Sequence, residues 1–319
     1  MAYFVENRIA EAVAARTLKL ALVLLLAWSA VPSFAQGRSY GLALGTGHYI
    51  GDLGGSSALA PWKATDMRAS RLAFSGFVEF PTEGRWQVHT GLSLIQLHGD
   101  DRFADSPSRI ARNLHFKNTV LEAHARGQFK FWDRPRHWNR SAGSRGYVFL
   151  GVGMFTSNPK ARVRNDSNDI VNPIWYKLRE LTTEGQDKPY SLVAFSMPMG
   201  FGFDWNLTGG WQVGLEVNWR YTSTDYLDDV SGSYADPNDL SELAAVLSSQ
   251  ANAYSVAVAG PSGGSVLNHQ YSAAGTQRGN PLSRDGFGTV QLTLARPDAS
   301  LRSRPGSWVG RFRRMGWLR

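Results

Sequence analysis

The sequence predicts an all-β protein, an eight-stranded up-and-down transmembrane β-barrel with long extracellular loops and a short helix in the last of them. Three observations carry that expectation: eight segments with a period of two, connections that alternate between short and long, and aromatic residues at the ends of apolar faces. The stretch from Trp211 to Tyr221 states the pattern most fully. Trp211, Val213, Leu215, Val217, Trp219 and Tyr221 share one face, and Gln212, Gly214, Glu216, Asn218 and Arg220 share the other.

The first 35 residues read as a cleaved signal peptide. Arg8, Arg16 and Lys19 form a basic region, Leu20 to Val31 an apolar one, and Ser33-Phe34-Ala35 a small-x-small site before Gln36. The apolar run is well short of the roughly 20 residues a spanning helix needs, and no later segment reaches that length. Zero cysteines exclude a disulfide framework and cysteine-ligated metals. A net charge of +8 could suit nucleic acid, but an exported chain seldom meets it, so no nucleic-acid partner is expected.

The barrel is expected over 36–296, followed by a basic tail over 297–319. Its strands are read at Ser39 to Tyr49, Ala69 to Phe80, Trp86 to His98, Leu114 to Trp132, Gly146 to Phe155, Ser191 to Asn206, Trp211 to Thr222, and Gly286 to Ala295. Several exceed the roughly 9 to 11 residues needed to cross hydrocarbon and should project beyond it. Pro81 to Arg85 and Leu207 to Gly210 are tight turns, and Asp133 to Arg145 is moderate. Ile50 to Arg68, Gly99 to Asn113, Thr156 to Tyr190 and Ser223 to Asp285 are long. An antiparallel meander puts every second connection on the same side, so the asymmetry matches short periplasmic turns and long outer loops. A soluble barrel or sandwich would turn the apolar face inward instead.

With the apolar face outside, the lumen receives Arg71, Arg126, Lys130 and Arg220 together with Glu79, Glu122, Asp204 and Glu216. An eight-stranded barrel is just wide enough for side chains to fill, so these charges should form a paired plug. Gly41, Gly45 and Gly47, Gly151 and Gly153, and Gly200 and Gly202 recur at even spacing on one face. Such glycines mark bends or close approach by bulky side chains.

No catalytic, cofactor-binding or metal-binding residues are expected. None of the seven histidines forms an HxxxH or HExxH pair, and His89 and His124 should face the lumen in structural roles. His98 with Asp100 and Asp101 is the one candidate for a lipid-modifying enzyme, an alternative class known among small barrels. Asp225, Asp228 and Asp229 lack EF-hand spacing and read as a solvated acidic loop. Beyond them Asp236 can cap, Pro237 suits a first helical position, and Leu240, Leu243, Ala244 and Leu247 form an apolar stripe. That helix is expected to pack on its own loop.

Six marks in the chain are similar to one family. They are Tyr49 to Gly55 (YIGDLGG), Arg112-Asn113-Leu114, Gly151 to Ala161 (GVGMFTSNPKA), Leu181 to Gln186 (LTTEGQ) with Tyr190-Ser191, Thr224 to Gly232 (Thr224, Asp225, Tyr226, Leu227, Asp228, Asp229, Val230, Ser231, Gly232), and Arg278-Gly279-Asn280. In this order they resemble the PorG-like outer-membrane barrels of the type IX secretion and gliding machinery of Bacteroidetes-type bacteria. The resemblance implies a non-enzymatic barrel that contacts a periplasmic ring built from a lipoprotein and a partner protein. Two departures stand against it, the extension beyond Ala295 and a last strand without a terminal aromatic residue. A transport or adhesion barrel without secretion partners is the alternative.

The extension from Arg296 to Arg319 holds seven arginines, among them Arg302, Arg304, Arg311, Arg313 and Arg314, against the single acid Asp298. Both ends of an even-stranded barrel fall on the short-turn side. The tail should therefore be periplasmic, beside Arg134, Arg136, Arg140 and Arg145 of the moderate turn. Attraction to lipid headgroups and docking onto an acidic periplasmic partner both suit that charge.

Overall fold

In the computed structural model the described residues are 38–54, 68–82, 84–104, 106–134, 143–164, 172–250, 258–259, 265–266 and 272–297. The expected signal peptide and nearly all of the basic tail lie outside them. Eight long strands follow one another: β1 Ser39–Ile50, β2 Arg71–Pro81, β3 Trp86–Asp100, β4 His115–Arg134, β5 Ser144–Thr156, β6 Val193–Asn206, β7 Gln212–Thr222 and β8 Gly286–Pro297. Each expected strand is present, with ends within about two residues of the reading.

Every strand pairs antiparallel with its neighbour in sequence, and β1 pairs with β8 along its whole length, from Ser39 opposite Pro297 to Ile50 opposite Gly286. The sheet therefore closes into an eight-stranded barrel without an edge. Closure leaves each strand one face inside and one outside, and the sequence alternation assigns them. Along β4, Glu122, His124, Arg126 and Gln128 are buried, while Leu121 and Phe131 are exposed. A register shift between Lys130 and Trp132 interrupts the alternation there and turns Trp132 outward beside Phe131.

The outer surface carries a continuous set of large apolar side chains. Leu42 and Leu44 of β1, Leu150 and Val152 of β5, and Leu292 of β8 are all more than half exposed, with Val152 at 70%. A monomer in water rarely leaves so much contiguous apolar surface uncovered. Trp86, Trp132, Trp205 and Trp211, exposed toward the short-turn end, form part of an aromatic rim.

Glycines permit the inner packing. A Cβ on Gly45 would strike the Val290 carbonyl of the neighbouring strand, and one on Gly200 the Val217 carbonyl and the Phe149 ring. The close approach expected from their even spacing is thus backbone to backbone as much as side chain to backbone.

The four long connections gather at the other end. A one-and-a-half-turn helix, α1 Pro107–Arg112, ends at Asn113 in the left-handed conformation. The helix expected from Asp236 begins later. Asp236 caps a separate 3-10 turn at Pro237–Asp239, and Ser241 caps α2 Glu242–Ser248. Ala244 and Leu247 of α2 are buried, and Leu247 packs with Ala161 and Leu178 of the preceding long loop. The stripe therefore packs within the chain, but on the loop from Thr156 to Tyr190 and not, as expected, on its own.

If the apolar belt meets hydrocarbon, Leu150→Arg near its middle should lower barrel stability by about 2 to 4 kcal/mol in lipid vesicles. The measurement is the denaturant midpoint of the folded form, and a change near zero would place that surface in water.

Candidate functional site

The inward positions stack as layers, polar at the short-turn end and in the middle. Arg145 of β5 donates through Nε to Asp204 Oδ2 at 2.9 Å, and its Nη2 lies 3.4 Å from Glu79 Oε2. Arg126 of β4 grips Glu216 of β7 with two bonds, Nη1 to Oε1 at 2.7 Å and Nη2 to Oε2 at 2.5 Å, and Tyr147 donates to the same carboxylate. One layer further, Glu122 accepts from Arg220 Nε and Ser196 Oγ, each at 2.7 Å, while Arg220 also reaches Thr289. The rings of His89 and His124 stack between these layers, 5.5 Å apart.

All of these groups but the half-buried Arg145 are buried, and two cavities between them, about 10 Å³ each, have room for a single water. Charges taken out of water survive only when paired and hydrogen-bonded. The three arginines are each held by a carboxylate, and all four carboxylates accept from an arginine. The lumen is a plug.

Above the plug the lining becomes apolar. Ile95, Val120, Phe155 and Phe287 point inward, and Leu227 and Val230 descend among them from the loop between β7 and β8. That loop is the acidic stretch Thr224 to Gly232, and Asp228 and Asp229 are buried rather than solvated. The solvated expectation is corrected because distant cations and hydroxyls meet these acids. Arg278 donates through Nη1 to Glu184 at 3.0 Å and to the Asp229 carbonyl, and Asp229 also accepts from Tyr190 and Thr183. Arg112 holds Asp101 with two bonds of 2.7 and 2.9 Å and donates to the carbonyls of Asp52 and Arg278, each at 2.6 Å. Glu184 in turn accepts from the Ser231 and Gly232 amides. All four long loops are tied into one cap over the barrel mouth.

Beneath the cap sits a carboxyl pair with no arginine bonded to it. The Tyr49 hydroxyl lies 2.6 Å from Asp228 Oδ2 and 2.7 Å from Asp285 Oδ1, and its oxygen accepts the Asp52 amide at 2.9 Å. A hydroxyl has one proton to give. It therefore donates to one carboxylate, and the other carboxyl must itself be protonated and donate back. The remaining oxygens accept the Val230 and Leu227 amides at 2.9 and 3.0 Å. Burial pushes both carboxyls well above the usual carboxylate range, and repulsion adds to it, from Asp228 on Asp285 and from Asp52 on Asp228. Asp229 is pushed up to about 6 by the same burial, with Arg278 opposing.

Residues 16–254 match the family model of DUF6089, a domain of unknown function. The chain belongs to the DUF6089 family. None of the curated proteins compared with the chain matches it. Among solved structures it is similar to Ail, the attachment invasion locus protein of Yersinia pestis, in complex with the heparin analogue sucrose octasulfate. That likeness has 11% identity and a TM-score of 0.33, over 82% of this chain and 99% of the other. The N-terminal β-barrel domain of Pseudomonas aeruginosa OprF gives 9% identity and a TM-score of 0.30, over 82% and 100% of the two chains.

In this DUF6089 barrel, Glu79, Glu122, Arg126, Asp204, Glu216 and Arg220 all stand inside the lumen. Arg71 stays at the outer rim, bonded to the carbonyls of Arg68 and Ser70, and Lys130 is half-buried at the opposite end, outside the bonded plug. Arg145, grouped by sequence with the partner-facing turn, is instead a lumen residue. β5 begins at Ser144, and the inward parity of Tyr147 and Phe149 carries back to 145. Extending that alternation by one step would have found it. Arg134 closes β4, while Arg136, Arg140 and the tail arginines Arg302, Arg304, Arg311, Arg313 and Arg314 lie outside the described residues. Asp100 is bound by Arg102 and Arg164, and Asp101 by Arg112, so neither serves His98, whose Nδ1 is 2.6 Å from the Phe116 carbonyl. Sequence reading missed Arg112, Arg164 and Arg278 as cap residues.

Two predictions follow from this geometry. Arg220→Met leaves Glu122 buried with Ser196 as its remaining close donor and should cost about 3 to 5 kcal/mol, read as a lower unfolding midpoint. Adding Glu122→Gln should recover a large part of that loss, giving a coupling visible in a double-mutant cycle. For the Tyr49 pair the folded state holds a proton that the unfolded chain releases near pH 4. The cap's stability from this source is complete below that value and is lost as pH rises through the raised folded value. Asp228→Asn mimics the protonated carboxyl. Amide exchange in 224–232, corrected for intrinsic rates, should speed up from pH 5 to 8 in the parent and clearly less in the variant, where Asp229 still titrates.

Proposed function

We propose that the protein is a non-enzymatic barrel of the bacterial outer membrane that anchors a type IX secretion or gliding machinery by contacting its periplasmic ring. The observation that carries the membrane placement is the apolar belt outside a sealed, charge-paired lumen. A soluble barrel would have these faces reversed. Ion pairs span the lumen among the described residues, which favours anchoring over transport. The pairing of Asp100 and Asp101 with arginines favours a non-enzymatic role, since no free carboxylate remains beside His98.

The secretion assignment rests on the PorG-like resemblance, with outer-membrane lipids, a ring lipoprotein and its ring partner as the contacts. Its working surface is the short-turn side, where Arg134, Arg136, Arg140 and the tail arginines concentrate positive charge. Such charge speeds and orients docking onto an acidic partner and is screened by salt.

Deleting 298–319 together with Arg134→Ala, Arg136→Ala and Arg140→Ala should reduce co-purification with the ring lipoprotein while the heat-modifiable barrel persists. In the parent, raising salt to about 0.5 M should weaken the association in the same direction. Arg145 is left intact because it belongs to the plug. Unchanged co-purification would sink the partner reading, and a mature protein found soluble in the periplasm would sink the membrane one.

A further inference from the structure

β4 is 20 residues long and outlasts its partner β5, which ends at Thr156. Past that point the free edge of β4 is taken by Lys160, which pairs with Lys117, and Lys160 pairs in turn with Lys177. Three lysines therefore stand side by side across three strands. Residues directly opposite in a sheet project from the same face, and here it is the outer one, since the neighbouring Asn118 is buried in the lumen. Like charges in that position repel and weaken a sheet unless something answers them.

Arg162 joins the row. Its guanidinium carbon lies 4.2 Å from the centre of the Trp175 ring, and Lys117 Nζ lies 3.8 Å from the same centre. Both cations are thus fixed on one half-buried indole. Glu180 is 3.4 Å from Lys177, but among the described residues no carboxylate lies within 4 Å of Lys117, Lys160 or Arg162. Arg162 Nε is also buried with no hydrogen-bond partner. The patch is an ordered cluster of donors without a carboxylate acceptor among the described residues.

Its height on the barrel identifies the acceptor. Leu121 of β4 and Leu94 of β3 face each other as the last exposed leucines of their strands, followed outward by Thr119 and Gln96, then by Lys117 and His98. Four residues at about 3.3 Å each, on a strand tilted by about 40°, raise Lys117 about 10 Å above Leu121. A bilayer adds roughly 5 to 8 Å of headgroup on each side of its hydrocarbon, so the row stands just beyond that layer, from where long lysine and arginine side chains reach back to headgroup phosphates. Phosphate oxygens match clustered ammonium and guanidinium donors.

We propose that Lys117, Lys160 and Arg162, with Trp175 as their platform, form a binding site for the phosphate of an anionic outer-leaflet lipid headgroup. The site rests on the outer-membrane placement and is independent of the secretion role. It lies on the flank of the barrel, away from the basic short-turn side.

The test uses the full mature protein in detergent and native mass spectrometry with diphosphoryl lipid A as probe, alongside the same lipid after removal of its phosphates. The parent should retain the phosphorylated lipid at least about tenfold more strongly, and Lys117→Gln/Lys160→Gln/Arg162→Gln should abolish that preference. Lys177→Gln should have a smaller effect because Glu180 already shares that charge. Should the triple variant fail to fold, Lys160→Gln alone, checked by heat-modifiable mobility, reads the same loss at smaller amplitude. Equal retention of both lipids by the parent, or retention by folded variants equal to the parent, overturns the proposal. Displacement of the lipid by millimolar inorganic phosphate alone would assign the cluster to a soluble anion and overturn the lipid.

Discussion

The pairing of β1 with β8 is the constraint from which the remaining features descend. It joins the first and last strands of the meander and leaves no backbone edge, the condition that hydrocarbon imposes on any sheet that crosses it. Once the sheet is closed, its inner face is finite and cut off from bulk solvent. Every polar residue on an inward position must then find its partner inside. Arg126 with Glu216, Arg220 with Glu122, and Arg145 with Glu79 and Asp204 are the consequences of that confinement, and so is the small size of the cavities between them. The glycines belong to the same account. Gly45 and Gly200 let strands approach where a side chain would collide with the next backbone, which keeps the barrel narrow enough for the ion pairs to meet.

The cap obeys a different rule. Its loops have no ladder to hold them, so long-range side-chain bonds do the work that strand pairing does below. Arg112 and Arg278 act as its two posts, each satisfying carbonyls and carboxylates contributed by different loops. Leu227 and Val230 add an apolar anchor that fixes the acidic loop downward into the barrel. The carboxyl pair at Tyr49 shows how tightly that anchor is seated. Asp228 and Asp285 are joined through a hydroxyl and a proton, with no bonded arginine among the described residues. A bonded arginine would make their ionisation favourable, and the absence of one makes the seating of the loop responsive to proton concentration.

Strands were legible in the sequence because parity is a local property. Two residues suffice to define a face, and Trp211 to Tyr221 or Leu121 to Phe131 repeat it several times over. The lumen acids and most lumen bases followed from parity alone. Arg145 was misplaced because a turn boundary, which is set by where pairing stops and not by residue type, lay two positions earlier than the sequence suggested. Arg71 and Lys130 have inward parity, but they sit at the rims, where solvent replaces the need for a partner. The cap was illegible for another reason. Arg112 lies 166 residues from the carbonyl of Arg278 that it binds, and Tyr49 lies 236 residues from Asp285. No spacing rule spans such distances. An acidic loop read without its distant cations can only be read as solvated, and that is how Thr224 to Gly232 first appeared.

Five of the six marks that carry the PorG-like resemblance acquire a common physical meaning in this arrangement. Asp52, Arg112, Thr183 and Glu184, Tyr190, Asp228 and Asp229, and Arg278 and Asn280 come from separate parts of the chain and converge on the cap or the layer beneath it. The marks therefore define how the outer mouth is closed. A barrel plugged by ion pairs and lidded by its own loops cannot do its work through the lumen without first breaking several buried charge pairs, each of which costs several kcal/mol to open. Work at the outer and inner surfaces requires no such opening. The energetic asymmetry between opening the barrel and using its faces is a physical reason to look for the protein's work at its two ends.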